Sequence, residues 1–420
     1  MILAAFRVRS FRYQWSADLL TSWAFEMETL VLGWYVLVHT ESVLLLTAFG
    51  SLQFLGTLAA PVYGLAGDRL GGRFVLCAMR SAYAAFAAFL MLLGLAGWLT
   101  PAWVLAIATL AGLVRPNDLV LRNTLIGETI PAEATMGALG LSRATSDSAR
   151  VAGALAGAGL ASVLGVGPTY VVVTAFYAAA LGLTFGVARR RPVPDPSATP
   201  GPASTAAVAR PSGWRDVADG LARVARTPAL LAMILLAFLI NLTAYPVTSG
   251  LLPYVARHVY RVDAAGLGWL VAAFALGGLL ASVTMVLTGG PRHPERATLV
   301  HSVAWYAALL AFGHLPGFAA GFAALLVAGF VQNVAMISMA STLLAAAGEG
   351  FKGRVMGVRM LAVYGLPVGL IAAGLLIERI GWAPTVTACA AVGLLFTLLI
   401  GVRWRASMWR APATVAGPSA

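Results

Sequence analysis

The chain is predicted to be an all-α, polytopic membrane protein, with twelve transmembrane helices arranged as two pseudo-symmetric six-helix bundles. Three observations carry that expectation. Of 420 residues, 60% are hydrophobic and 10% charged, with mean hydropathy +0.85, whereas soluble domains carry about 25% charged residues. Apolar runs long enough to cross a bilayer, about 20 residues each, recur along the whole chain. The chain also repeats itself: one shift of 216 positions carries Asn117 onto Asn333, Glu133 onto Glu349, Gly137 onto Gly353, Arg143 onto Arg359 and Gly153 onto Gly369. Those matches cover the fourth and fifth runs against the tenth and eleventh, as duplicated halves require.

In order, the first six runs are 15–38, 43–63, 74–97, 102–125, 136–164 and 168–188. The second six are 229–252, 264–288, 297–316, 318–346, 354–377 and 382–402. This divides the chain into an amino-terminal bundle (1–188), a linker (189–228) and a carboxy-terminal bundle with its tail (229–420). The connections 39–42, 98–101 and 165–167 are short and nearly free of arginine. Those on the other side hold Arg7, Arg9, Arg12, Arg69, Arg73, Arg122, Arg292, Arg296, Lys352, Arg354, Arg403, Arg405 and Arg410. Only Arg257, Arg261 and Arg379 fall opposite. The positive-inside rule then places both termini in the cytoplasm, and the expected location is the plasma membrane. The opening M-I-L-A-A-F-R-V-R-S-F-R has too short an apolar core for a cleavable signal peptide.

The linker begins where Arg189, Arg190 and Arg191 stop the sixth run; Pro192, Pro194, Pro196, Pro200, Pro202 and Pro211 keep it extended. After it, Trp214, Val217, Ala218, Leu221, Val224 and Ala225 recur at helical spacing. Arg215, Asp216, Asp219, Arg223 and Arg226 take the other face. A short amphipathic helix on the cytoplasmic membrane surface is expected, tethering the halves.

Formal charge is +12, from 28 basic against 16 acidic residues. Because the excess sits in loops between apolar runs and not on one soluble face, it reports topology and excludes a nucleic-acid partner. Cys77 and Cys389 both lie inside apolar runs, so neither a disulfide framework nor a metal cluster is expected. The chain holds no G-x-x-x-x-G-K-S/T, H-E-x-x-H or G-x-S-x-G. ATP-driven pumping, a membrane-embedded enzyme and a bound cofactor therefore have no support.

Between the second and third runs lies a short polar hairpin, 64–73, reading G-L-A-G-D-R-L-G-G-R. Gly71 and Gly72 allow its tight reversal. This stretch resembles the signature loop of the major facilitator superfamily, roughly G-x-L-A-D-R-x-G-R-K/R. Gly64, Asp68, Arg69, Gly71 and Arg73 match in place; Gly72 stands where the family usually has a second basic residue. The loop 289–296 is a degenerate copy in the second half, without the D-R pair. Four further stretches resemble one exporter subgroup, which includes the enterobactin exporter and macrolide efflux permeases. They are F-R-Y-Q-W at 11–15, R-P-N-D-L-V-L-R-N-T-L-I-G-E-T-I-P-A-E-A at 115–134, G-L-A-R-V-A-R-T-P at 220–228 and G-F-K-G-R-V-M-G at 350–357. In the fifth run, R-V-A-G-A-L-A-G keeps Gly153 and Gly157 of the exporters' G-P-x-x-G but has Ala154 in place of the proline.

The resemblance implies parallel halves related by an axis along the membrane normal, with substrate between them near the midplane. It implies a secondary active transporter, and the expected activity is export of small amphiphilic molecules (drug, siderophore or metabolite) in exchange for protons, by a monomer. A metabolite importer, as proton symporter or uniporter, is the alternative; a non-transporting receptor is a remote one. For Asp68 it implies a gating role, holding the outward-open state through charge contacts with a helix N-terminus or with Arg115.

Charged groups inside a bilayer are costly and are functional candidates by default. Glu26 and Glu28 lie near the middle of span one, about 200° apart around a helix, so only one can face the cavity. That one points at substrate or carries a coupling proton, with Glu26 favoured; in the structural reading both only bond neighbouring helices. Arg143, Asp147 and Arg150 share one face of span five, and Asp147 can serve either arginine as the partner a buried charge needs. Arg143, whose repeat mate is Arg359, is read as part of a structural ladder. Asp147 and Arg150 lie deeper and stay open as substrate or proton sites. Asp118 and Arg122, four apart, read as a pair in a cytoplasmic charge network with Arg115, Glu133, Arg143, Glu349, Arg354 and Arg359. Gln53, Asn241, Tyr245, Gln332 and Asn333 either hydrogen-bond substrate or glue helices together. His301 reads as packing and not as a proton relay. Trp23, Trp34, Trp98, Trp103, Trp269 and Trp382 are expected at membrane interfaces, with Trp23 and Phe25 alternatively lining an apolar pocket.

Overall fold

The computed structural model describes residues 6–59, 71–115, 118, 121–122, 125–126, 132–187, 213–348 and 351–409. Every regular element among them is helical. The first six-run segment gives α1 (Arg9–Thr40), α2 (Val43–Leu52), α3 (Gly72–Leu95), α4 (Pro101–Val114), α5 (Ala132–Leu164) and α6 (Val166–Thr184). After the linker come α7 (Gly213–Arg226), α8 (Pro228–Thr243), α9 (Ala264–Thr288), α10 (Pro294–His314) and α11 (Phe318–Ala347). The chain closes with α12 (Lys352–Leu361), α13 (Gly365–Ile380), α14 (Trp382–Arg403) and the short α15 (Arg405–Trp409).

Among the described residues, seven spans are long and apolar enough to cross a membrane: Gly72–Leu95, Val166–Thr184, Pro228–Gly250, Ala264–Thr288, Phe318–Ala347, Gly353–Ile380 and Trp382–Arg403. Val43–Thr57 and Pro101–Val114 are shorter apolar helices. α1, α5 and α10 are long, at 32, 33 and 21 residues, but more polar. Together these fill the twelve expected places. Capping residues set several boundaries: Ser42 Oγ accepts the Leu45 N–H at 3.2 Å to open α2, and Pro101 stands in the first turn of α4.

Three spans that the apolar pattern draws as continuous are broken. Span two ends as a helix at Leu52 and continues as a 3₁₀ turn, Leu55–Ala59. There the chain crosses α4 backbone to backbone: a Cβ on Gly56 would stand 2.0 Å from the Leu113 carbonyl oxygen. Span seven passes into two π turns, Pro246–Gly250 and Val255–Val259, because Pro246 and Pro253 each remove a helical donor. Span eleven has a 3₁₀ turn at Ala362–Tyr364, one turn ahead of Pro367, whose missing N–H cannot bond the Val363 carbonyl. The breaks in spans seven and eleven follow from prolines that periodicity ignores.

By contacts the chain forms two units. The first is Met1–Asp216 with Leu252–Ala272; the second is Val217–Leu251 with Ala273–Ala420. In the first, α1 packs on α5 and α6, and α3 on α6. A Cβ on Gly153 would meet the Glu26 Cβ at 2.9 Å, and one on Gly157 the Met27 Cα at 2.8 Å. Those glycines therefore let α5 lie directly against the middle of α1. In the second unit, α10 packs on α11 and α14, and α8 on α13, around the fully buried Trp305, Tyr306 and Phe312.

The amphipathic segment after the linker forms α7 as expected, but its apolar stripe is divided. Val224 is buried and Gly220 sits against the Arg354 carbonyl of α12, while Leu221 is exposed. The tryptophans also divide. Trp98, Trp103 and Trp269 are exposed, whereas Trp382 is buried, edge-on to Phe312 with centroids 6.0 Å apart. An aromatic ring at a helix start packs inward when a neighbouring helix offers a ring to meet it.

Candidate functional site

The ionisable side chains buried in the first unit gather along α1. Deepest is a four-charge cluster. Asp18 of α1 pairs with Arg80 of α3, which is 0% exposed, and lies 3.4 Å from Nε of Arg122. Arg122 pairs in turn with Asp118, the expected i, i+4 pair. Arg80 also donates to Thr184 Oγ1 of α6. Arg122 donates to Ser22 Oγ at 3.1 Å, and its carbonyl accepts from Gln14 Nε2 at 2.9 Å. Two carboxylates face two guanidiniums, so the cluster is neutral. Losing any member strands a charge that water cannot reach.

Glu28 forms the second pair. Its carboxylate accepts from Arg115 and, at 2.9 Å, from the Tyr177 hydroxyl of α6. The Arg115 guanidinium lies 4.3 Å above the Phe25 ring and 3.5 Å from Gln53 Oε1, which also accepts from Thr29 at 3.3 Å. Arg115 therefore bonds to the middle of α1. The network expected for it at the cytoplasmic end is not where its guanidinium lies, because Glu28 is the buried carboxylate within its reach.

Glu26 and Arg150 form the third pair, and it differs in kind. Both residues lie near the midpoints of their helices. Their closest approach, Arg150 Nε to Glu26 Oε1, is 3.8 Å, and the side chains are 45% and 21% exposed. For the Asp18 and Arg80 side chains those values are 5% and 0%. Charge at mid-membrane depth is costly unless it is paired or faces a cavity. A carboxylate with one loose, part-exposed cationic partner can exchange it for a proton or a ligand. Asp147, one turn before Arg150, is partly exposed.

The polar cavity candidates in the second unit are uncharged and held by protein partners. Gln332 Nε2 donates to Tyr245 Oη at 2.7 Å, and Asn333 Nδ2 to Ser282 Oγ at 2.7 Å and to the Gly278 carbonyl at 2.5 Å. Asn241 Nδ2 donates to Ala237 O of its own helix at 2.9 Å, and His301 Nδ1 lies 2.8 Å from Ala297 O. Trp23 meets Phe176 edge-on at 6.3 Å. Arg354 lies 3.9 Å from Asp219 and over the Phe351 ring, and Arg359 is part-buried. Beyond the helix ends, Glu41 meets Arg257 at 3.1 Å and His258 at 3.6 Å. Nearby, burial pushes the Tyr260 phenol up to about 12, so it stays neutral.

Gly64, Asp68, Arg69 and Glu349 lie outside the described residues, as do the side chains of Glu133 and Arg143; Gly71 and Arg73 are described, and Arg73 donates to the Phe185 carbonyl. Sequence reasoning missed Asp18 and Arg80. The rule that singled out Glu26 applies to both, since each stands inside an apolar run. It also missed Tyr177, which nothing in a span's composition marks. No group of three His, Cys, Asp or Glu able to hold a metal occurs among the described residues.

Known structures carry the same fold. The human organic anion transporter MFSD10 (TETRAN) superposes with TM-score 0.65 at 18% identity, covering 93% of this chain and 99% of its own. A bacterial homolog of the human lysosomal transporter Spinster gives 0.70 at 13%, covering 96% and 99%. The nucleoside transporter NupG gives 0.68 at 14%, covering 96% and 99%. No protein of curated function matches the sequence. The family profile of the Major Facilitator Superfamily matches residues 19–366, from the charged stretch of α1 into α13. The chain belongs to the Major Facilitator Superfamily and is a membrane transporter, not an enzyme.

Proposed function

We propose that this transporter exports small amphiphilic molecules in exchange for protons, by alternating access, from the cytoplasm across the plasma membrane. The observation that carries the reading is the Glu26–Arg150 pair: mid-helix, part-exposed and loosely closed at 3.8 Å. A proton on Glu26 cancels its attraction for Arg150, and proton release restores it, so protonation and rearrangement of this site are linked. Asp147 extends the same face. The export direction rests on the stretches that resemble the enterobactin exporter and macrolide permeases. Small organic solutes suit the fold, whose members include transporters named for organic anions and nucleosides.

The working unit is a monomer with both termini cytoplasmic, in which 1–188 and 229–420 are the two bundles and 189–228 is the tether. Gln53, Asn241, Tyr245, Gln332 and Asn333 supply neutral polar contacts that substrate competes for. Asp68 gates. Asp68→Asn is expected to slow switching at least tenfold with substrate affinity nearly unchanged, measured as transport rate against equilibrium binding; wild-type transport by this variant contradicts the assignment.

The test of the whole reading is proton movement in sealed vesicles holding the purified protein, on addition of amphiphilic drugs, siderophores and metabolites. Proton flux opposite to a compound supports antiport and names the substrate class. Flux in the same direction replaces export with symport, and compound uptake with no proton flux makes the chain a uniporter.

A further inference from the structure

The membrane-facing surface of the second unit holds a groove that none of the transport residues uses. It lies at the predicted cytoplasmic end, between α10 and α14, and encloses about 860 Å³. Leu299 and Val303 of α10 and Leu398 and Val402 of α14 form its walls, and Arg405 and Trp409 close one end. Gly401 on its floor brings no side chain into it.

Charge gathers at the closed end. Arg296 donates to the Trp409 carbonyl and stacks 5.6 Å from the Trp409 ring, yet its Nε is buried without a hydrogen-bond partner among the described residues. Arg405 is exposed and makes no ion pair among the described residues. Arg403 stacks on Trp404 at 5.4 Å. The one acid nearby in sequence, Glu295, faces His293 at 4.0 Å.

We propose that this groove binds an anionic phospholipid, its phosphate between Arg405 and Arg296 and one acyl chain along Leu299, Val303 and Leu398. Two features select that occupant together. Apolar walls with Val402 70% exposed favour a hydrocarbon chain, and guanidiniums without a carboxylate partner among the described residues, beside interfacial tryptophans, favour a phosphate at headgroup depth. A free anion would leave the walls empty, and a zwitterionic lipid would bring its own cation to the arginines.

The test is native mass spectrometry of the purified protein after exchange into an equal mixture of phosphatidylglycerol and phosphatidylcholine with matched chains. The wild type is expected to retain phosphatidylglycerol preferentially. Arg405→Gln, on an exposed side chain where folding is not at stake, is expected to lower that preference about tenfold. Arg292→Gln, an equally exposed arginine outside the groove, is expected to leave it unchanged. Equal retention of the two lipids overturns the proposal. So does an equal loss in both variants, which would mark general surface potential, and so does glycerol phosphate binding as tightly as the intact lipid.

Discussion

The two units solve the problem of polar residues in a membrane differently. In the first, Asp18, Glu28, Arg80, Asp118 and Arg122 are buried, and every one is in an ion pair. In the second, the buried polar residues described are Thr243, Thr248, Thr298, Ser302, Asn333, Ser338, Thr342, Thr385 and Thr397, all uncharged. Several satisfy themselves within a helix: Thr298 and Ser302, for example, donate to carbonyls four residues back, at 2.8 and 2.7 Å. Charge pairing is long-ranged and changes with protonation, whereas hydroxyl and amide bonds are short and insensitive to pH. In the proposed mechanism, α1 and its neighbours supply the titratable control, and the second unit supplies neutral contacts.

The largest effect expected from breaking this contrast is at Asp18. Asp18→Asn leaves the fully buried Arg80 without a counter-charge, at a cost of about 3–5 kcal/mol. It should appear as a marked drop in thermal midpoint and yield. Asp18→Leu with Arg80→Met should recover most of that loss, and failure to recover any would mean that the cluster does more than neutralise itself. Glu28→Gln comes next, at about 1.5–3 kcal/mol, the value of a charged hydrogen bond. Arg115 keeps Tyr177 as a partner, 3.1 Å away, which limits the damage. In the second unit, Tyr306→Phe removes only its 2.8 Å bond with Thr243, about 0.5–1.5 kcal/mol, with a pH profile of transport unchanged. Glu26→Gln should be the mildest for stability, below about 1 kcal/mol, since its pair is part-exposed and long at 3.8 Å. If it instead destabilises as much as Glu28→Gln, Glu26 is structural.

The fold was legible in the chain because hydrocarbon imposes one requirement, helices of a fixed length, and composition records it. The span limits hold within a few residues at span eight and span ten, which no proline interrupts, even though Gly277 and Gly329 bring those two helices backbone to backbone. The continuous helix fails at Pro246, Pro253 and Pro367, because hydropathy does not register missing donors. Of the site, the charged residues were visible singly and their pairing was not. The sequence favours Glu26 over Glu28 without showing what either meets. Gly153 admits α5 against α1 at Glu26, while Glu28 turns to Tyr177 on α6. A helical wheel shows that two residues diverge, and only the neighbouring helices say toward what.

The most direct test of the account is proton-driven transport by Glu26→Gln in sealed vesicles, beside gradient-free exchange of labelled for unlabelled substrate by the same variant. The account predicts that exchange continues while dependence on the proton gradient disappears. Gradient-driven transport with wild-type pH dependence would contradict it, and would move the coupling site away from the Glu26–Arg150 pair.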